Sequence, residues 1–235
     1  MDQLAEALTF FAVFLFSTTL HEAAHAWTAW KGGDPTAYHG GQVTLDPLPH
    51  IRREPFGMVI LPLASALLTG WPMGFASAPY DPNWARKYPN RAAWMALAGP
   101  GANLLLMLLA AIALRVGHAT GVFYAPDRIG FGDIVGSDAG GAWPAVGYLL
   151  GVVFSMNLLL ATLNLIPLPP LDGSAAITLF MARETKTRYQ EFIWSTPMLG
   201  LVGMLAAFKL FPMLFAPVFF AAVSLLYPGA SYGSG

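Results

Sequence analysis

The sequence predicts an all-α polytopic membrane protein with one short β-strand or hairpin element after its first helix. Three observations carry that prediction. Hydrophobic residues make up 56% of the 235-residue chain and charged residues only 11%, which leaves too little polar surface to cover a fold in water. Three apolar stretches, Leu4 to Trp30, Ala92 to Val116 and Ala142 to Ile166, are each long enough for a helix to cross a bilayer. The basic residues, finally, gather in alternate connections, as membrane insertion requires.

The first stretch begins with Asp2 and Glu6 and ends at Lys31, without the basic start of a signal peptide, so it reads as a retained helix. Residues 31–55 form a Gly/Pro-rich connection. Within it Gln42, Val43, Thr44 and Leu45 lie between turn signals and carry strand-like content. Phe56 to Gly70 is apolar but short and contains Pro62, which suits a re-entrant segment or short helix better than a span. A loop over 70–82 and the cations Arg86, Lys87 and Arg91 lead into the second strong span. The 117–141 connection is Gly-rich and acidic, and the third span runs into Asn164-Leu-Ile-Pro-Leu-Pro-Pro-Leu-Asp-Gly-Ser174. A short charged helix follows, then two apolar runs over about 195–210 and 212–227, with Pro212 and Pro217 near their join. The Gly/Ser tail after Pro228 reads as disordered. The expectation is one integral membrane domain over 1–235, with a motif-bearing core over about 4–182 and C-terminal membrane helices over about 194–227.

With the N-terminus outside, nine of the twelve lysines and arginines fall in cytoplasmic segments; only Arg115, Arg128 and Lys209 do not. The same orientation brings the end of the first span and the end of the third to the cytoplasmic side. A net charge of −1 and the lack of a basic, aromatic-interleaved stripe exclude a nucleic-acid partner. No cysteine is present, so any metal must be held by His, Asp or Glu.

The most telling residues are His21, Glu22 and His25, an H-E-x-x-H pattern inside the first span. On a helix, positions i and i+4 share a face, so the two imidazoles can close on one metal ion, with Glu22 beside them as a base for metal-bound water. Ionisable side chains at membrane depth are costly, which favours function over a pair of inert helix-end histidines. A catalytic zinc wants a third protein ligand and an open position. Asp172 is the best candidate, since the proline run before it breaks the helix at membrane depth; as an Asp-Gly pair it also fits an ordinary turn. His39, Asp46, His50 and Glu54 compete for the same role, or are solvated loop residues. Asn103 and Asn164 are candidates for contacting substrate or a developing oxyanion, or for interhelical packing aided by Gly99 and Gly101; Asn157 reads as packing. The chemistry that follows is peptide hydrolysis, and a submerged site points to a bond within or beside a membrane segment. Such a substrate must unwind locally, and the Gln42–Leu45 stretch is the candidate edge for pairing with it.

The H-E-A-A-H of the first span, A-G-P-G-A-N of the second and N-L-I-P-L-P-P-L-D-G-S after the third together resemble the site-2 protease family of intramembrane zinc metalloproteases, in its small prokaryotic branch without a PDZ domain. The resemblance covers roughly residues 10–185. It implies a three-helix catalytic core plus additional membrane helices, one Zn2+ per chain held by His21, His25 and Asp172, Glu22 as catalytic acid/base, and Asn103 and Asn164 near the active site. It also implies a transmembrane protein substrate, such as a membrane-anchored transcription factor or anti-sigma factor, met in the lipid bilayer. Another H-E-x-x-H membrane protease would need its third ligand on a different motif. A transporter using the same residues would tolerate Glu22→Gln.

Overall fold

Every regular element among the described residues is helical. The computed structural model describes residues 3–70, 72–229 and 232, so Asp2, Trp71 and most of the Gly/Ser tail lie outside it. The elements are α1 (Gln3–Lys31), α2 (Thr36–His39), α3 (Pro47–Arg53), a π-helical turn (Phe56–Ile60) leading into α4 (Leu61–Thr69), α5 (Pro82–Lys87), α6 (Pro89–Ala119), α7 (Trp143–Asn164), α8 (Asp172–Ala176) with a 3-10 turn (Ile177–Phe180), α9 (Arg183–Ser195) and α10 (Met198–Leu226). Four of them, α1, α6, α7 and α10, are long and apolar enough to cross a membrane. The chain is a membrane protein.

α1 contains neither glycine nor proline, and it stops where Gly32 and Gly33 follow. Gly33 sits at φ 95°, a left-handed conformation that favours glycine and ends the helix. The Gly32 carbonyl, left over at this helix end, accepts from Trp84 Nε1 and Arg91 Nη1, both at 3.0 Å. α3 and α5 each start from an aspartate cap followed by proline: Asp46 accepts from the Leu48 N–H and Asp81 from the Asn83 N–H.

The strand or hairpin expected over Gln42–Leu45 is not there. Among the described residues no sheet forms, and the single β-bridge pairs Tyr124 with Gly136. Gln42 is instead buried, its N–H donating to the Ala37 carbonyl at 2.9 Å. Thr44 is drawn into local bonding as well: its hydroxyl accepts from the Asp46 N–H and its carbonyl lies 3.1 Å from His50 Nε2. Asp46 is the cap of α3, so the capping sequence overrides the β-branched content around it.

The C-terminal pair of apolar runs is also corrected. Pro212 and Pro217 lie inside one continuous helix, α10. Proline within a membrane helix loses a backbone bond but does not end the helix when the flanking sequence stays apolar. Phe56–Thr69 is short, as expected, and stops at Gly70, φ 78°.

α1, α6 and α7 pack on one another in every pairing. α10 leans on α7 and α6 from outside, through Phe219 and Val223 against Ala110, Leu114 and Phe154. Only 11% of its most apolar window is buried, against 50% for α7, so most of its surface is left to lipid. Near its start, Gly203 lies against the Pro169 carbonyl so closely that a Cβ would collide with it. Ala207, Met204 and Phe211 pack there on Ile166, Leu168 and Leu171. α10 therefore backs the connection between α7 and α8.

Candidate metal centre

α1 places His21 and His25 one turn apart, both buried, and the α7–α8 connection brings Asp172 to them. His21 Nε2 lies 3.1 Å from Asp172 Oδ2, His25 Nε2 lies 3.3 Å from Asp172 Oδ1, and the two Nε2 atoms are 2.9 Å apart. Their ligand atoms all fall within 4.8 Å of one another. Asp172 is not in a turn. It opens α8, and Gly173 is needed because the Leu165 and Ile166 carbonyls occupy the space a Cβ would take. Gly99 of α6 does the same for the imidazoles: a Cβ there would meet both rings. Gly101 has open space in that direction.

Hydrogen bonds fix which nitrogen of each ring faces inward. His25 Nδ1–H donates to the Met95 carbonyl at 2.7 Å, and His21 Nδ1–H donates to Asn103 Oδ1 at 2.6 Å. Both Nε2 lone pairs then point at the Asp172 carboxylate and at each other. Unshared pairs and a carboxylate converging in a buried space repel unless a cation joins them. Two imidazoles and one carboxylate suit zinc, and three protein ligands leave a position open for chemistry. The residues present fit the metal.

Behind His21 lies a buried polar chain. Asn103 Nδ2 donates to Asn157 Oδ1 at 2.9 Å, and Asn157 Nδ2 donates to Ser17 Oγ at 2.9 Å and to the Val153 carbonyl at 2.8 Å. Asn103, Asn157 and Ser17 are all fully buried. Asn103 thus stands behind a histidine, near the centre as the family resemblance implies and bridging helices as the packing alternative has it. Asn157 and Ser17 were missed as parts of the site; an asparagine in the middle of an apolar span was the signal that could have found them. Asn164 ends α7 with its amide on the Leu160 carbonyl and makes no bond to the cluster.

The competing ligands lie elsewhere. Asp46 caps α3, His50 faces the Thr44 carbonyl, Glu54 accepts from Ser77 Oγ, and the His39 ring lies against Tyr38. Glu22 is buried beside the histidines in sequence, and its Oε2 has no hydrogen-bond partner among the described residues.

Comparison with known proteins shows the family of the chain. Residues 9–204 match the model of peptidase family M50. YwhC of Bacillus subtilis, assigned as a zinc metalloprotease, is 29% identical over 203 residues, covering 85% of this chain and 83% of the relative. Rip2 of Mycobacterium tuberculosis, assigned likewise, is 31% identical over 176 residues; the match takes in 74% of this chain but only 58% of Rip2. The Rip2 of Mycolicibacterium smegmatis is 29% identical over 175 residues, again 58% of its length. No solved structure matches. With a family match across most of its length, zinc-assigned relatives and a buried donor set that fits zinc, this chain is a metalloprotease belonging to peptidase family M50, the site-2 protease family.

Proposed function

We propose that this protein hydrolyses peptide bonds within or beside transmembrane segments of other membrane proteins, with zinc held by His21, His25 and Asp172. The observation that carries the reading is the convergence of these three donors between α1 and the α7–α8 connection, in the buried interior of a helix bundle built to sit in lipid. Zinc, when bound, acts as a Lewis acid toward a carbonyl and makes water more acidic. Glu22 takes the proton from the attacking water and later returns it to the leaving amine; a buried carboxylate with an uncommitted oxygen suits both tasks. Asn103 and the Met95 carbonyl hold the imidazoles in the orientation that keeps Nε2 free.

The partition of basic residues supports an N-terminus outside and a site toward the cytoplasmic side. The substrate is a transmembrane protein, of the class in which a membrane-anchored transcription factor or anti-sigma factor is released by the cut. The Gln42–Leu45 segment forms no strand edge, so pairing of a substrate strand with it is not part of this proposal.

Metal content by mass spectrometry, on wild type, His25→Ala and Asp172→Ala, tests the ligand set. About one zinc per wild-type chain, lost from both variants, supports it. Zinc retained without Asp172 overturns it. Reconstitution with a single-span substrate in liposomes then tests the cleavage.

A further inference from the structure

A cavity of about 410 Å3 lies where the end of α5, the start of α6 and the start of α9 come together, away from the metal centre. Lys87, Arg91, Arg183 and Lys186 line it together with Tyr88 and Asn90, and no carboxylate does. Lys186 is the only buried residue of α9. Its ammonium donates to Asn90 Oδ1, a neutral partner, and no acidic side chain pairs with it among the described residues. A buried cation without a counter-charge is costly. Glu184, the acid nearest in sequence, is turned to Arg188 at 2.6 Å. Lys87 and Arg91 are held over the Tyr88 ring at 5.3 and 4.4 Å, which fixes their positions without neutralising them. Two helices also start here. Neither has a side-chain cap, so both add positive dipole potential; α9 also brings uncapped first-turn N–H groups, whereas α6 begins with Pro89 and its Arg91 and Ala92 N–H groups donate to the Tyr88 carbonyl.

We infer that this cavity is a binding site for a phosphate group, with Lys186 at its floor and Lys87, Arg91 and Arg183 around its mouth. Arginine and lysine with helix N-termini are the donor set that phosphate oxygens take. The site is at the end of the bundle where α1 finishes, as the bond from Arg91 to the Gly32 carbonyl shows. Such a level suits the headgroup of an anionic phospholipid, and a soluble phosphate has the same chemistry. The bound group would tie α9 to the start of α6, the helix that carries Met95 and Gly99 to the histidines.

The test uses full-length protein with Lys87→Gln and Arg183→Gln combined, both exposed positions, and a control with Arg52→Gln and Arg53→Gln that removes the same charge elsewhere. Native mass spectrometry from micelles holding equal phosphatidylglycerol and phosphatidylcholine is expected to show one phosphatidylglycerol retained by wild type and control. The cavity variant should retain it roughly tenfold less. In phosphatidylcholine nanodiscs, inorganic pyrophosphate that raises the Tm of wild type but not of the cavity variant assigns the site to a soluble phosphate instead of a lipid. Equal lipid retention by all three proteins, with no selective shift from pyrophosphate, overturns the proposal.

Discussion

His21 and Asn103 meet across α1 and α6, Nδ1 to Oδ1 at 2.6 Å, and this one bond decides where the His21 lone pair points. Asn103 is in turn held by Asn157, and Asn157 by Ser17, so the orientation of the His21 ring is set by three helices at once. Asn103→Leu removes the acceptor of His21 Nδ1–H and the donor to Asn157 Oδ1, leaving both atoms unpaired in a dry interior. Zinc affinity is expected to fall by roughly 10- to 100-fold, as for other losses behind a metal ligand. Competition against a calibrated chelator measures it; unchanged affinity would mean that the bond does not orient the ring.

Glu22→Gln keeps the shape of the side chain and loses its basicity. Zinc content should stay near wild type while turnover falls by at least about a hundredfold. Single-turnover cleavage in liposomes with parallel metal analysis separates the two effects. Substantial activity in this variant would favour a transport role for the buried cluster.

Gly99→Ala puts a methyl group where the two imidazoles lie, and Gly101→Ala puts one into open space. The first should lose zinc and activity in a folded protein, and the second should keep both. Circular dichroism and metal content on the pair provide the comparison.

Gly203→Ala tests the support that α10 gives to the connection carrying Asp172. A Cβ there collides with the Pro169 carbonyl, so either α10 or the connection must shift. Zinc affinity is expected to weaken several-fold, less than in Asp172→Ala, because the ligand is displaced and not removed. A chain with wild-type affinity would show that α10 moves instead.

Removal of the metal with 1,10-phenanthroline should abolish cleavage, and added zinc should restore it. On the proposed ligand set zinc joins α1 to the α7–α8 connection of the folded protein, so the metal-free protein should also melt at a lower temperature. Trp fluorescence on heating follows this directly.

Much of the fold could be read from the sequence because the physics that sets it is local. Leu4–Trp30 and Ala92–Val116 announce themselves by length and apolarity, and the spacing of His21 and His25 fixes a shared face. Asp172 became legible through the proline run before it. What stayed hidden depends on contacts distant in sequence. Nothing local tells that Asn103 lies behind His21, because that follows from how α6 crosses α1. The Gln42–Leu45 stretch has strand-like residues, but the cap at Asp46 and the burial of Gln42 decide its shape. Pro212 and Pro217 looked like a boundary because soluble helices stop at proline, and lipid relaxes that rule.

The three proposed metal donors are far apart in the order of synthesis. His21 and His25 are made early, while Asp172 follows after α6, α7 and the connection behind them. A growing chain that has inserted its first three spans holds two of the three ligands and no complete site. The proposed donor set is therefore complete only once the Pro167–Leu171 connection has been made and Asp172 lies beside α1. The order of synthesis thus leaves the donor set open until all three core helices have been made.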